Sequence, residues 1–424
     1  MRLSELRKEV TEGKLDERFA ALYGEEAVVS QRERYAELLN KAEGLFGDRE
    51  GHLFSAPGRT EVGGNHTDHQ LGRVFAASIN LDVAAAVIAA DDNIVRYAAK
   101  GFAVDPVNLS SLEPVREEEN RTEALIRGVA AGLVQRGYKA GGFMAYAESD
   151  VIAGGGMSSS AAFEVLLGTI YNSLYNNGEV PAETIAKVGQ YAENVYFGKP
   201  CGLLDQMACS VGSFAAIDFA DKENPVVEKV SFSPAAYGYA LILTDIKASH
   251  AELSGEYAAV PGEMKAAAAV LGHSVLSETD LAELVTNAAK IRAACGDRAF
   301  LRAYHFVKET ERAKAEAEAL KKGDIDAFLK LVNESGHSSY MYLQNISVPG
   351  AVKEQPAALG LALSEAVLNG RGACRIHGGG FAGTIQAFVP EDLKETYIRT
   401  LESVFGEGAC YVLRVRDCGG IQIA

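Results

Sequence analysis

The run with the most chemical potential is Val151-Ile152-Ala153-Gly154-Gly155-Gly156-Met157-Ser158-Ser159-Ser160-Ala161-Ala162. Three glycines follow an apolar stretch, and three serines open a helix whose apolar residues, Ala162, Val165, Leu166, Thr169, Ile170 and Leu174, keep a helical period. Glycines let the main chain approach a ligand closely and adopt positive φ. A helix N-terminus adds free N–H groups and the positive end of a dipole. Together these features form an anion site suited to phosphate. The serine hydroxyls can cap the helix, donate to phosphate oxygens or ligate a metal. No Gly-Lys-Ser/Thr follows, so this is not a Walker A loop, and the G-x-G-x-x-G dinucleotide spacing is absent too. The same residues also suit a capped glycine turn with no ligand. A second loop, His377-Gly378-Gly379-Gly380-Phe381-Ala382-Gly383, lies between two predicted strands. Alone it reads as a hairpin; two such loops favour a phosphate-handling enzyme.

Residues 56–70, APGRTEVGGNHTDHQ, crowd polar groups together without periodicity, the mark of a functional loop on a rigid scaffold. Arg59 follows Pro-Gly, and Asn65, His66 and Asp68 are residue types that read hydroxyl groups. A metal site is one rival reading, because His66, Asp68 and His69 resemble the H-x-H-x-D-H run of binuclear hydrolases, but its first histidine is absent. A solvated loop is the other. Further on, Glu193 lies near the end of a predicted helix, and Cys201-Gly202-Leu203-Leu204-Asp205-Gln206-Met207 follows. Asp205 sits among apolar residues, so its carboxylate must be paired, functional or a helix cap. An arginine such as Arg59 would keep it ionised.

The elements that must position these groups fit an ordinary soluble protein of 424 residues, 48% hydrophobic and 23% charged. Two or three domains are expected. The net charge of 41 − 57 = −16 argues against a broad nucleic-acid or anionic-membrane face, but not against a local phosphate pocket. The charged N-terminus is no secretory signal, and no apolar stretch reaches the ~20 residues that span a bilayer. Six cysteines without a C-x-x-C pair read as reduced thiols, so a cytoplasmic location is expected. Helical texture covers the first ~45 residues. Strand texture is found at 52–56, 82–90, 94–98, 143–148, 214–219, 227–232, 239–243, 373–377, 384–389 and 410–415. Helices are predicted at 118–137, 159–175, 181–197, 298–322 and 390–404. This mixed order predicts an α+β fold rather than a doubly wound parallel sheet. The polar break at 221–225 suggests two units, residues 1–230 and 231–424.

Three segments in this order identify a resemblance. A-P-G-R-x-x-x-x-G-x-H-T-D at 56–68, G-G-G-x-S-S-S-A-A-x-E at 154–164 and C-G-x-x-D-Q at 201–206 resemble the GHMP small-molecule kinases, and among them the galactokinases. The glycine loop at 378–383 and Ser254-Gly255-Glu256-Tyr257 extend the match over most of the chain. The resemblance implies an N-terminal domain like ribosomal protein S5 domain 2, a ferredoxin-like C-terminal domain and a site in the cleft between them. It implies transfer of the ATP γ-phosphoryl group to the anomeric hydroxyl of galactose with Mg²⁺ bound. The implied partners are sugar and ATP, not nucleic acid or membrane. Carried over by position, Arg59 would stabilise charge at the phosphoryl and Asp205 would accept or orient the hydroxyl proton. Gly154, Gly155, Gly156, Met157, Ser158, Ser159 and Ser160 would bind the phosphates. Glu193 with Ser159 or Ser160 would hold Mg²⁺. Asn65, His66, Asp68, Gly202 and Tyr257 would face the sugar.

The match is not uniform. The family usually reads G-R-V-N-L-I-G-E-H-T-D-Y; here Glu61 stands for the Asn, Asn65 for the Glu and His69 for the Tyr. The replaced Glu reads the hydroxyl on carbon 6. Asn65 can still hydrogen-bond there, and being uncharged it would tolerate a carboxylate. Galactose is the expected substrate, and galacturonate or another sugar is the alternative within the family. An idle sugar and ATP sensor is a further alternative, which the intact Arg59, Glu193 and Asp205 argue against.

Overall fold

The longest strand, Arg73–Ala89, is rich in alanine and valine because both of its faces are covered. The computed structural model describes residues 1–152, 155–248 and 253–424. Strand Arg73–Ala89 is the spine of the first sheet, which has nine strands among the described residues. It pairs along its length with strand His52–Gly63. Its other edge is shared by Phe214–Asp218 and Phe143–Ser149, all antiparallel. Alternation along the spine sends Val83, Ala85 and Val87 into a core shared with helices Thr122–Gln135 and Ser159–Asn176. Ala84, Ala86 and Ile88 meet the helices Leu3–Thr11, Asp16–Tyr23 and Val28–Phe46 on the other face. Each fully buried Leu or Phe there contributes roughly 1.5–3 kcal/mol.

The second sheet contains, in chain order, Tyr239–Asp245, Ala373–Ile376, Thr384–Pro390 and Cys410–Leu413. Their spatial order is 2-3-1-4, all antiparallel, which is the ferredoxin-like arrangement. Helices Pro356–Leu368 and Lys394–Phe405 bury their apolar sides against it. The long helix Asp297–Lys321 lies against both strands of the central pair in the first sheet and against helix Ile325–Ser338, which packs on the second. The chain then returns: Ile421–Gln422 pairs with Phe54 and Ser55. None of the described helices is long and apolar enough to cross a membrane.

Two readings change. Residues 56–63 are not loop but the second half of strand His52–Gly63, and strand pairing of the spine begins at Arg73 rather than 82. Polar and glycine residues disguised both, because here the strand buries polar groups against other polar groups. The short helix Leu204–Val211 was also not expected.

A buried polar cluster ties the N-terminal helices to the sheet. Asp82 is completely buried and accepts from Arg34 at 2.8 Å, from Tyr23 at 2.6 Å and from Ser55. Arg416 lies 3.6 Å away and is also completely buried. Burial alone would raise the Asp82 pKa, but Arg34 and Arg416 outweigh it and hold it below the usual carboxylate range. Asp82 therefore stabilises the fold above its unfolded pKa, and that contribution is lost as pH falls through the lowered folded value. Asp82→Ala leaves the buried Arg416 guanidinium without a carboxylate and Arg34 with Asp150 alone, and is expected to lower stability by about 3 kcal/mol, read as a reduced urea midpoint at neutral pH. An unchanged midpoint would contradict the assigned role.

Candidate active site

Arg59 stands where the pairing of its strand with the spine is irregular. The pairing register slips between Pro57, opposite Asp82, and Arg59, opposite Ser78. The extra residues lie in the spine, which bends there, and Pro57 has no N–H to give the ladder. The Arg59 side chain is only 6% exposed. Its Nε and Nη2 both lie 2.7 Å from Asp205 Oδ1, and Nη1 donates to the Gly156 carbonyl. Its backbone N–H donates to the Met157 carbonyl at 3.2 Å. One arginine thus grips both a carboxylate and the glycine turn. Ser158, at φ 59°, donates its hydroxyl to the other Asp205 oxygen. Asp205 stands in the first turn of Leu204–Val211 with its side chain 38% exposed, anchored behind and open in front.

The turn is also held from the second sheet. The Glu61 N–H donates to His377 Nε2 at 3.1 Å, so Nε2 carries no proton. Nδ1–H therefore donates to Thr384 Oγ1 at 2.8 Å, and the Thr384 hydroxyl donates to the Gly155 carbonyl at 3.1 Å. Burial, with Arg59 and Arg375 nearby, pushes His377 well below its ordinary pKa, which fits this neutral tautomer. Gly156 has φ +73°, and a Cβ on it would stand 3.2 Å from both His377 Nδ1 and Thr384 Oγ1. The Gly155 N–H is taken by the Ile152 carbonyl at 3.1 Å, and the first N–H groups of helix Ser159–Asn176, which have no partner within a helix, suit an anion.

Beside the turn, helix Ala182–Tyr191 widens into a π segment, Ala192–Phe197, that carries Glu193. Ser160 rather than Ser159 reaches this buried carboxylate, donating to Oε1 at 3.2 Å. Lys199 Nζ lies 3.1 Å from the same oxygen. Gln206 donates to Glu193 Oε2 at 2.9 Å and to Glu164 Oε2 at 3.0 Å. Burial, with the neighbouring Glu193 charge, pushes Glu164 well above the carboxylate range. Glu193 Oε1 and the Ser160 hydroxyl are hard oxygen donors on one side of the turn. They fit Mg²⁺, which takes one or two protein oxygens and completes its shell with phosphates and water.

On the far side of Asp205, Asp68 packs against Gly202, where any Cβ would collide with the carboxylate. Burial pushes Asp68 up to about 6, and repulsion from Asp205 adds to this. His66 meets the Gly379 carbonyl at 3.0 Å and is lowered by burial to about 4. The Tyr257 hydroxyl donates to the Gly380 carbonyl at 2.9 Å, and its ring lies edge-on to Phe381. Gly154 lies outside the described residues.

Asn65 does not line this wall as a reader of carbon 6. It is fully buried, and both amide hydrogens are used, on Glu61 Oε1 and the Gly378 carbonyl, each at 2.7 Å. Its Oδ1 accepts from Asn345 at 2.8 Å and Ser339 at 3.3 Å. No hydrogen-bonding capacity remains for a ligand. Its job is to pin the second glycine loop to the strand end. His377, Thr384, Lys199, Glu164 and Gln206 were missed as site residues. The last two lie inside the quoted motifs, and His377 opens the second glycine loop; Lys199 and Thr384 carry no local signal.

Comparison with known proteins places the chain in a family. Residues 43–88 match the galactokinase galactose-binding signature, and residues 124–213 match the GHMP kinases N-terminal domain. A galactokinase of Streptomyces coelicolor is 30% identical over 371 residues, covering 88% of this chain and 93% of that protein. A galactokinase of Actinobacillus pleuropneumoniae is 29% identical over 345 residues, covering 80% and 85%. The Lactococcus lactis galactokinase structure complexed with galactose superimposes with a TM-score of 0.77 at 25% identity, covering 90% of this chain and 98% of that one. A mevalonate kinase structure at 16% identity, with a TM-score of 0.59 and coverage of 86% and 99%, shares the fold. The chain therefore has the GHMP kinase fold and belongs to the galactokinase family.

Proposed function

We propose that this protein transfers the γ-phosphoryl group of ATP to the anomeric hydroxyl of galactose, in the cleft between units of about 1–230 and 231–424, as a cytosolic enzyme. The observation that carries this reading is the Arg59 grip on both Asp205 and the glycine turn, which sets an acceptor for a hydroxyl proton beside a phosphate cradle. The sugar oxygen attacks the γ-phosphorus, its proton passes to or is oriented by Asp205, and the bond from phosphorus to the β–γ bridging oxygen breaks to release ADP. Arg59 stands where charge spreads over the moving phosphoryl, and the N–H groups of residues 156–160 hold the nucleotide tail. Mg²⁺ held by Glu193 and Ser160 would neutralise phosphate charge. Asp68, His66, Gly202 and Tyr257 form the sugar side.

Asn65 no longer argues for a uronic acid. Its amide is spent on Glu61 at 2.7 Å and on the Gly378 carbonyl at 2.7 Å, so it offers a sugar carboxylate nothing.

Asp205→Asn is expected to leave ATP affinity nearly intact and to lower kcat by about 10²–10⁴-fold, measured with a coupled ADP assay on galactose. Wild-type turnover in the variant would remove Asp205 from the mechanism. Arg59→Ala should slow transfer more than it weakens ATP binding; a pure loss of ATP affinity would contradict its proposed role.

A pH dependence follows from Asp68. Its carboxyl, raised to about 6, accepts a sugar hydroxyl most strongly when ionised. The kcat/KM for galactose should fall as pH drops below that value, and Asp68→Asn should remove this acid limb. An identical limb in the variant would assign it to another group.

Thr384→Val should break the relay to Gly155 and raise the KM for ATP about tenfold, one lost hydrogen-bonded link, while the galactose KM holds. Thr384→Ser should restore it, and equal rises in both constants would show general damage instead.

A further inference from the structure

Glu193 has one oxygen fully committed and one contested. Oε2 is taken by Gln206 at 2.9 Å. Oε1 receives both the Ser160 hydroxyl at 3.2 Å and the Lys199 ammonium at 3.1 Å. The carboxylate is 3% exposed, yet the Lys199 side chain is 62% exposed. The lysine is fixed at its root. Its backbone N–H donates to the Glu193 carbonyl at 3.1 Å, and Gly198, at φ 86°, closes the π segment just before it. The backbone is therefore set while the four-carbon stem is free to swing. An ammonium is a compact, strongly hydrated charge that exchanges partners readily.

We propose that Lys199 is an internal cation that occupies the metal position on Glu193 in the nucleotide-free protein and yields it to the divalent ion only when nucleotide phosphates arrive. This rests on the kinase reading of the site. An ammonium and a divalent cation cannot share Oε1 and the Ser160 hydroxyl, because like charges a few ångströms apart repel strongly in a partly buried site. Free metal must expel the ammonium and gains only one carboxylate and one hydroxyl in return. Metal arriving with ATP brings phosphate oxygens, which offer Lys199 a new anionic partner as it leaves. Metal and nucleotide binding are then positively coupled through one side chain. In the resting protein the same lysine keeps the buried Glu193 charge compensated beside Glu164.

The test is titration of Mn²⁺ into the full-length, nucleotide-free protein, followed by the free-ion electron paramagnetic resonance signal. Lys199→Met should bind Mn²⁺ about tenfold more tightly than wild type, within the usual range of coupling between sites. Lys199→Arg should behave as wild type, and the double variant Glu193→Gln with Lys199→Met should lose the gain. With a non-hydrolysable ATP analogue present, the difference between wild type and Lys199→Met should shrink. Equal affinities without nucleotide, including no measurable binding by Lys199→Met, would overturn the proposal and leave Lys199 a surface ion pair. A gain that survives in the double variant would overturn it as well. The readout needs no turnover, so loss of the galactose assay would count against the kinase reading alone.

Discussion

A buried guanidinium cannot be left unpaired, and most of the site follows from how Arg59 meets that demand. Its partner Asp205 lies 146 residues further along the chain, and its third contact is the Gly156 carbonyl. Satisfying one side chain therefore brings a strand, a glycine turn and a short helix to one point. The pairing is also asymmetric. Arg59 is sealed in, whereas Asp205 keeps an open edge. The buried end holds the turn, and the carboxylate end stays accessible.

The seam between the two sheets is polar rather than greasy. Arg375 donates to Glu61 at 3.0 Å and to the Val62 carbonyl. Gln386 donates to Thr60 at 2.6 Å and to the Glu61 carbonyl at 2.9 Å. Glu309 accepts from the Gly64 N–H at 3.0 Å; burial would raise it, but His305 and the arginines Arg312 and Arg375 hold it down at about 2. Apolar faces can slide over one another, but hydrogen-bonded groups of this kind fit in one register only. The same strand, His52–Gly63, supplies the Arg59 grip and most of this seam. Glycine turn and second sheet are thus set against each other through a single element.

How much of this was legible depended on the range of the signal. The helix Ser159–Asn176 was readable because its apolar residues repeat every turn beside the glycines. The pairing of Arg59 with Asp205 could be anticipated from charge and burial arguments that need no coordinates. Strand residues 56–63 could not, since Pro57, Gly58, Arg59 and Glu61 are poor strand formers and are tolerated only because a bulge and the opposite polar wall absorb them. Asn65 was misjudged for the same reason: its acceptor oxygen is filled by Ser339 and Asn345, 274 and 280 residues away. No local pattern announces a partner at that distance.

The departures at positions 61 and 65 are better understood as one change than as two. The resemblance places an amide at the first and a carboxylate at the second; this chain has Glu61 and Asn65, the reverse. The two side chains touch, with Asn65 Nδ2 donating to Glu61 Oε1 at 2.7 Å. An exchange of residue types across a shared hydrogen bond preserves the pair while reversing donor and acceptor. Burial pushes Glu61 up to about 7 against the pull of Arg375 and Arg59, so the relocated acid is tuned by the seam rather than by solvent. Read singly, Asn65 suggested a lost charge and a looser demand on the sugar. Read as half of a swap, it leaves the acidic group within one hydrogen bond of where the family keeps it.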